Sequence, residues 1–301
     1  MMAIGISYII SLLILFGIYA IFALGLNLEW GFTGILNFGH VAFFGIGAYS
    51  TVILNQMGVP IYIAIVAGII IAGLFGVLVA LPAMRLRGDY FAIVTIGFSE
   101  IVRYFMLNEE WLTGGPLGLR DFDIPLSFVP SQYYNIAMLI LVLALLALTY
   151  LILKALINSP WGRVLKSIRE DEDVSKALGK NVFRYKIQSI ALGSAIAGLA
   201  GILLAFNHKY LNPNYYMPLI TFYAWIIVIL GGSGNNKGTI LGALIFWTFM
   251  SLTRFSPGYL PISSTDLGAL RMVIIGLLLI VLMMYKPEGL LGNKEELKLD
   301  I

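Results

Sequence analysis

Two polar pairs stand three residues apart inside otherwise apolar stretches: Asn37 with His40 in GFTGILNFGHVAFFGIGAYSTVIL, and Glu100 with Arg103 in TIGFSEIVRYF. A spacing of three puts both members of a pair on one helical face. Polar side chains at membrane depth are costly, so each pair is a candidate for a functional path. Asn37 and His40 either line a translocation path or satisfy hydrogen bonds between helices. Glu100 and Arg103 either neutralise each other as an internal ion pair or serve as a gate or substrate contact. Other chemistry-bearing residues are scarce. With two His, no Cys and no paired carboxylates in the apolar segments, neither a metal site nor an acid–base pair is recognisable. The stretch GGSGNNKGT (231–239) holds the Gly, Lys and Thr of a phosphate loop, but not in the G-x-x-x-x-G-K-[ST] order, and it follows no strand. It reads as a tight turn between helices. The chain is therefore expected to carry no catalytic residue, no cofactor, no metal and no nucleotide.

These residues sit in a chain that is 59% hydrophobic and 12% charged, against roughly 25% charged in ordinary soluble domains. Such a chain is an integral membrane protein. Backbone groups find no partners in hydrocarbon, and apolar runs of about 20 residues suit helices rather than barrel strands. The fold class is all-α and polytopic, one transmembrane domain over residues 1–301. Candidate spans cover 4–27, 33–56, 60–83, 90–107, 133–157, 187–207, 219–232, 238–253 and 267–285, about nine, with eight to ten allowed. Residues 33–56 are dotted with Gly, Asn and His and read as a broken or re-entrant helix near the N-terminus. The first apolar run is too long for a signal-peptide core and stays as the first span. Gly193, Ala197 and Gly201 recur every fourth residue and predict close packing of helix backbones.

Residues 158–186, NSPWGRVLKSIREDEDVSKALGKNVFRYK, form the one long polar island. Eight of the 19 Lys and Arg residues fall between Lys154 and Lys186. So dense a cluster marks a cytoplasmic loop, and alternating the spans outward from it puts fourteen basic residues inside against four outside. The same count puts the N-terminus outside, although one broken span would reverse it. Ser159-Pro160 predicts a helix start, Ser as N-cap and Pro in first position, and Gly179 a helix stop. The net charge of +3 follows from the inside loops and is no nucleic-acid signal. Within the island, Asp173-Val174-Ser175 followed by Gly179 looks like a degenerate form of the EAA loop of ABC importer permeases, the surface that docks into the ATPase subunit.

The series Gly39-His40-x-Ala42-Phe43-Phe44-x-Ile46-Gly47-Ala48-Tyr49, then RLRGDYFAIVTIGFSEIVR (85–103), LTGGPLGL (112–119), GRVLKSIREDEDVSKALGKNVFRYK and GGSGNNKGTILGA (231–243), resembles in order the branched-chain amino acid ABC transporter permease family. The likeness is to the second of its two paralogous permeases and runs from about residue 25 to 290. Lys180-Asn181 and Ser167 depart from the usual family residues. The resemblance implies a non-catalytic permease in a prokaryotic cytoplasmic membrane. It would pair with a homologous permease, bind two ATPase subunits that use ATP, and receive Leu, Ile, Val, other amino acids, urea or short amides from an extracytoplasmic solute-binding protein. The residues it implies for ATPase coupling are Arg163, Arg169, Glu170, Asp173, Ser175 and Gly179. Outside the resemblance, the rival reading is a self-sufficient secondary transporter or channel using Asn37, His40, Glu100 and Arg103. An intramembrane enzyme is the remoter one.

Overall fold

The computed structural model describes residues 2–83 and 88–252, together with short stretches between 273 and 292. Among these the architecture is helical throughout, with a single isolated bridge between Leu119 and Leu211. In chain order the helices are α1 (Met2–Leu26), which runs on into a π-helical turn at Asn27–Phe32, α2 (His40–Gln56), α3 (Ile61–Ala83), α4 (Gly88–Asn108), α5 (Glu110–Thr113), α6 (Tyr134–Asn158), α7 (Pro160–Glu170), α8 (Glu172–Ala177), α9 (Val182–His208), α10 (Leu219–Gly231) and α11 (Asn236–Leu252).

Among the described residues, five helical stretches are long and apolar enough to cross a membrane: Ser7–Phe32, Ile61–Pro82, Asp89–Asn108, Tyr134–Asn158 and Val182–His208. The α10–α11 pair adds a sixth only if counted as one broken span, because the two helices meet at 117°. The expected nine segments divide accordingly. Two of them, 219–232 and 238–253, are the halves of this bent pair. A third, 33–56, keeps only its second part as helix, since residues 34–37 are non-helical. The resulting α2 has 17 residues, a length of about 25 Å. The last, 267–285, lies mostly outside the described residues.

Burial sorts the helices by role. α1 and α9 are enclosed, and α9 packs against α1, α2 and α3. α2 is buried along nearly its whole length. Hydrocarbon gives no hydrophobic drive for helices to associate, so close backbone packing must hold them together. The Gly193–Ala197–Gly201 stripe supplies it: a Cβ at Gly201 would sit 1.8 Å from the Phe44 carbonyl oxygen of α2. By contrast α3 and α6 expose long apolar edges, among them Ile63, Val66, Ile70 and Leu74 on α3, and Ile140, Leu148, Leu151 and Ile152 on α6. Such edges suit lipid. An apolar cleft of about 460 Å³ opens between α2, α3 and α4, lined by Tyr49, Phe75, Phe98, Ile101 and Phe105 among others.

The two ends of the bundle differ. At one, α7 and α8 continue from α6 and return into α9, with the α10–α11 turn beside them. At the other, α2 ends against the loop after α5, where Asn55 and Asp123 exchange two hydrogen bonds of 3.0 and 2.8 Å and Gln56 donates to the Arg120 carbonyl at 2.8 Å.

Candidate functional site

Glu29 is the one charged side chain among the first 84 residues. It sits in the π-turn, wholly buried. Its Oε2 accepts a 2.7 Å hydrogen bond from Asn37 Nδ2 and stands 3.3 Å from His40 Nδ1, slightly off hydrogen-bond alignment. His40 Nε2 donates to the Phe22 carbonyl at 3.2 Å, because a carbonyl can only accept. His40 Nδ1 and Glu29 Oε2 thus face each other in a wholly buried contact. Glu29 Oε1 has no hydrogen-bond partner among the described residues and lies against Gly193, where a Cβ would be 2.3 Å away. Asn37 Oδ1 accepts from the Gly39 amide at 3.0 Å, and Trp225 Nε1 donates to the Asn37 carbonyl at 3.3 Å. Asn37 precedes α2 and so does not share a helical face with His40, but both side chains meet at Glu29, and in the isolated chain neither is exposed.

The π-turn that carries Glu29 is tied down on several sides. Asn27 donates to Asn236 Oδ1 and accepts from the Gly234 amide, both at 3.0 Å, which fixes the α10–α11 turn to the end of α1. The Leu28 carbonyl accepts from Thr33 at 2.9 Å and from Ser189 of α9 at 3.3 Å. Trp30 packs on Trp225 with ring centroids 4.4 Å apart. Gly31 has to be Gly here, since a Cβ would lie 2.0 Å from Asn27 Oδ1 and 2.5 Å from the Gly234 amide.

Glu100 and Arg103 pair with each other: Arg103 Nη2 and Nε donate to Glu100 Oε2 at 2.7 and 3.0 Å. Their side chains are 33% and 16% exposed, and the guanidinium also covers the Tyr104 ring at 4.7 Å. The cleft takes Phe98, Ile101, Val102 and Phe105 from α4, so the ion pair faces another way. It does not join Asn37 and His40.

The 158–186 segment folds as two short helices. Pro160 occupies the first position of α7, as predicted, but the Ser159 hydroxyl donates to the Leu156 carbonyl at 2.6 Å instead of capping α7. Asp171 caps α8, accepting from the amides of Asp173 and Val174 at 2.8 and 2.9 Å. Gly179 follows α8 with φ +74°, the left-handed stop expected of it. Arg163, Glu170, Asp173 and Gly179 are exposed, together with the apolar Val174 and Leu178. Ser175 is instead buried, its hydroxyl 2.8 Å from Ser167 Oγ. Arg169 also turns inward, and its Nη1 donates to the Gly31 carbonyl of the π-turn. Glu172 bonds Lys186 at the base of α9 and lies 3.1 Å from Lys176. Burial alone would raise the Glu172 carboxyl, but these ammonium groups outweigh it and hold it below its ordinary value.

Sequence reasoning passed over Glu29, Asn27, Ser189 and Glu172. The available signal for Glu29 was its solitude, a lone acid between two apolar segments.

The family profile described as branched-chain amino acid transport system / permease component matches residues 8–283. The LivM permease protein of the high-affinity branched-chain amino acid transport system of Escherichia coli K12 is 32% identical over 94% of this chain and 70% of its own length. A probable LivM of Methanocaldococcus jannaschii is 31% identical over 96% of this chain and 95% of its own. LivH of Salmonella typhimurium is 26% identical over 92% of each. No solved structure matches the chain.

Proposed function

The chain belongs to the branched-chain amino acid transport permease family, and from that premise we propose that it is the membrane subunit of an ATP-driven importer in a prokaryotic cytoplasmic membrane. It pairs with a homologous permease, rests on two ATPase subunits at the α7–α8 end, and takes Leu, Ile, Val or a related small polar solute from a binding protein at the other end. The carrying observation is the α7–α8 loop. Apolar Val174 and Leu178 stand 53% and 69% exposed within a dense field of charge, a surface that suits a soluble protein partner better than water or lipid. Arg163, Glu170, Asp173 and Gly179 share that exposed loop and form the ATPase contact.

The mechanism is alternating access. Closure of the ATPases moves the loop, the bundle pair opens toward the binding protein, and substrate passes between the two permeases. Asn37 and His40, which touch no open space in the isolated chain, belong to the framework of that movement. The chain contributes no bond chemistry, and ATP is spent on the partner subunits.

The test is reconstitution in proteoliposomes. Uptake should require sister permease, ATPases, binding protein and ATP together, and the isolated chain should accumulate nothing under a proton or sodium gradient. Gradient-driven accumulation by the isolated chain would overturn the importer reading in favour of an autonomous carrier.

A further inference from the structure

The two sequence features that stand furthest apart in character, the charged loop and the buried polar cluster, are joined by one side chain. Arg169 leaves α7 away from solvent and places its guanidinium on the Gly31 carbonyl. Its backbone also rests on the next segment, since a Cβ at Gly34 would lie 3.4 Å from Arg169 Cα. Lys166, one turn earlier, holds its ammonium 5.9 Å above the Phe32 ring. α7 thus bears on both ends of the same short stretch. Two residues from Gly31 is Glu29, whose carboxylate reaches Asn37 and His40 at the start of α2.

We propose that the π-turn Asn27–Phe32 carries movement of the α7–α8 loop into the transmembrane bundle, with Arg169 as the strut that drives it and Glu29 as the positioning residue that grips Asn37 and His40. The inference rests on the importer reading and adds the internal route. A charged donor on a backbone carbonyl is a directional bond, stronger than most neutral ones. The turn it holds cannot drift alone, because Asn27 binds the α10–α11 turn and the Leu28 carbonyl binds α9. Packed interiors of this kind shift between discrete arrangements rather than deform smoothly. A π-turn supplies one such step, since it holds one more residue in the turn than an α-helix does. Losing or moving it displaces the residues on its C-terminal side by about 1.5 Å and 100°. Such a step takes Glu29 off Asn37 and His40 and frees the start of α2. The wholly buried carboxylate is then explained by its use: a grip that is strong when made and expensive to leave unmade favours two states over a continuum.

The test uses the full complex in proteoliposomes, with the ratio of substrate imported to ATP hydrolysed as readout, for Arg169→Ala, Glu29→Gln, Asn37→Ala and the Arg169→Ala/Glu29→Gln double variant. Asn37→Ala removes the same grip from the opposite side and serves if Glu29→Gln fails to fold. The ATPases should co-purify with every variant as with wild type. Each single should lower the transport ratio by about tenfold, within the range of ordinary coupling terms of about 5–150-fold. The double should be no worse than the poorer single, as expected of residues on one route. Loss of the ATPases from Arg169→Ala would make Arg169 a docking residue and overturn the proposal. So would an unchanged ratio in all three singles, or a double loss equal to the product of the two. A wild-type chain that binds no ATPase would sink the importer reading itself, an outcome that needs no variant to see.

Discussion

Glu100 and Arg103 show how far residue spacing alone reaches at membrane depth. Their separation of three predicts a mutual ion pair, and the structure has one. Removing one partner strands the other, at about 1–3 kcal/mol for a buried polar group left unsatisfied and more for a charged one. Glu100→Gln should therefore lower the thermal midpoint of the detergent-solubilised chain, while Glu100→Gln with Arg103→Gln should recover much of the loss; equal destabilisation by single and double would show that the pair is not mutual. Glu29 escaped the same reasoning for a physical reason. Hydropathy ends the first span near residue 27, which puts Glu29 in a connecting loop, whereas a π-turn continues the helix through it. Nothing in apolar periodicity encodes that extra residue. Glu172 was equally hidden within a run of acids, and only the fold brings Lys186 to it. Because its carboxyl is held below the ordinary value of 4.5, its contribution is complete above that value and fades as the pH falls through the lower folded one. The protection of the α8 amides, their exchange rate taken relative to its intrinsic pH-dependent value, should thus be constant from neutral down to about pH 5 and fall below it. In Glu172→Gln the same amides should exchange faster at neutral pH and show no such step; a step retained in that variant would assign it to another group.

At the scale of elements, the loop helices were legible because their stops are chemical. Pro160 is accommodated only in the first turn of a helix and Gly179 takes a positive φ, and both are visible as letters. Gly179 has nothing within 4 Å of where a Cβ would stand, so its requirement is conformational and not steric. Asn tolerates the left-handed region, and a β-branched residue does not. Gly179→Asn should therefore preserve ATPase binding and transport, whereas Gly179→Val should loosen α8 and lower both. Equal behaviour of the two variants would remove the left-handed stop from the account. The α10–α11 pair was less legible. Each half carries enough apolar residues to pass as a short span; the glycines of 231–239 announce the tight turn between them, but local sequence does not state that Asn27 binds this turn or that the halves meet at 117°.

For the whole molecule, sidedness follows from which loops share an end. The α10–α11 turn lies with the α7–α8 loop: Asn235 and Lys237 line a shallow pocket together with Lys154, Asn158 and Lys166. Leu117, 79% exposed, belongs to the opposite end, where Tyr210 donates to its carbonyl at 2.7 Å. The basic residues concentrate at the first of these ends, and Lys and Arg near span ends are retained on the cytoplasmic side. The chain lacks Cys, so single cysteines can be introduced without a prior cysteine-free background. Glu172→Cys and Lys237→Cys should both resist a membrane-impermeant thiol reagent added to intact cells and react in inverted vesicles, while Leu117→Cys should react from outside. The decisive comparison is Lys237 with Glu172. If Lys237 labels from outside while Glu172 labels from inside, then α10 does not return to the α7–α8 end, and the bond network joining that turn to the π-turn could not exist in the membrane. If Glu172 itself labels from outside, the polar island faces away from any ATPase, and the importer mechanism loses its point of attachment.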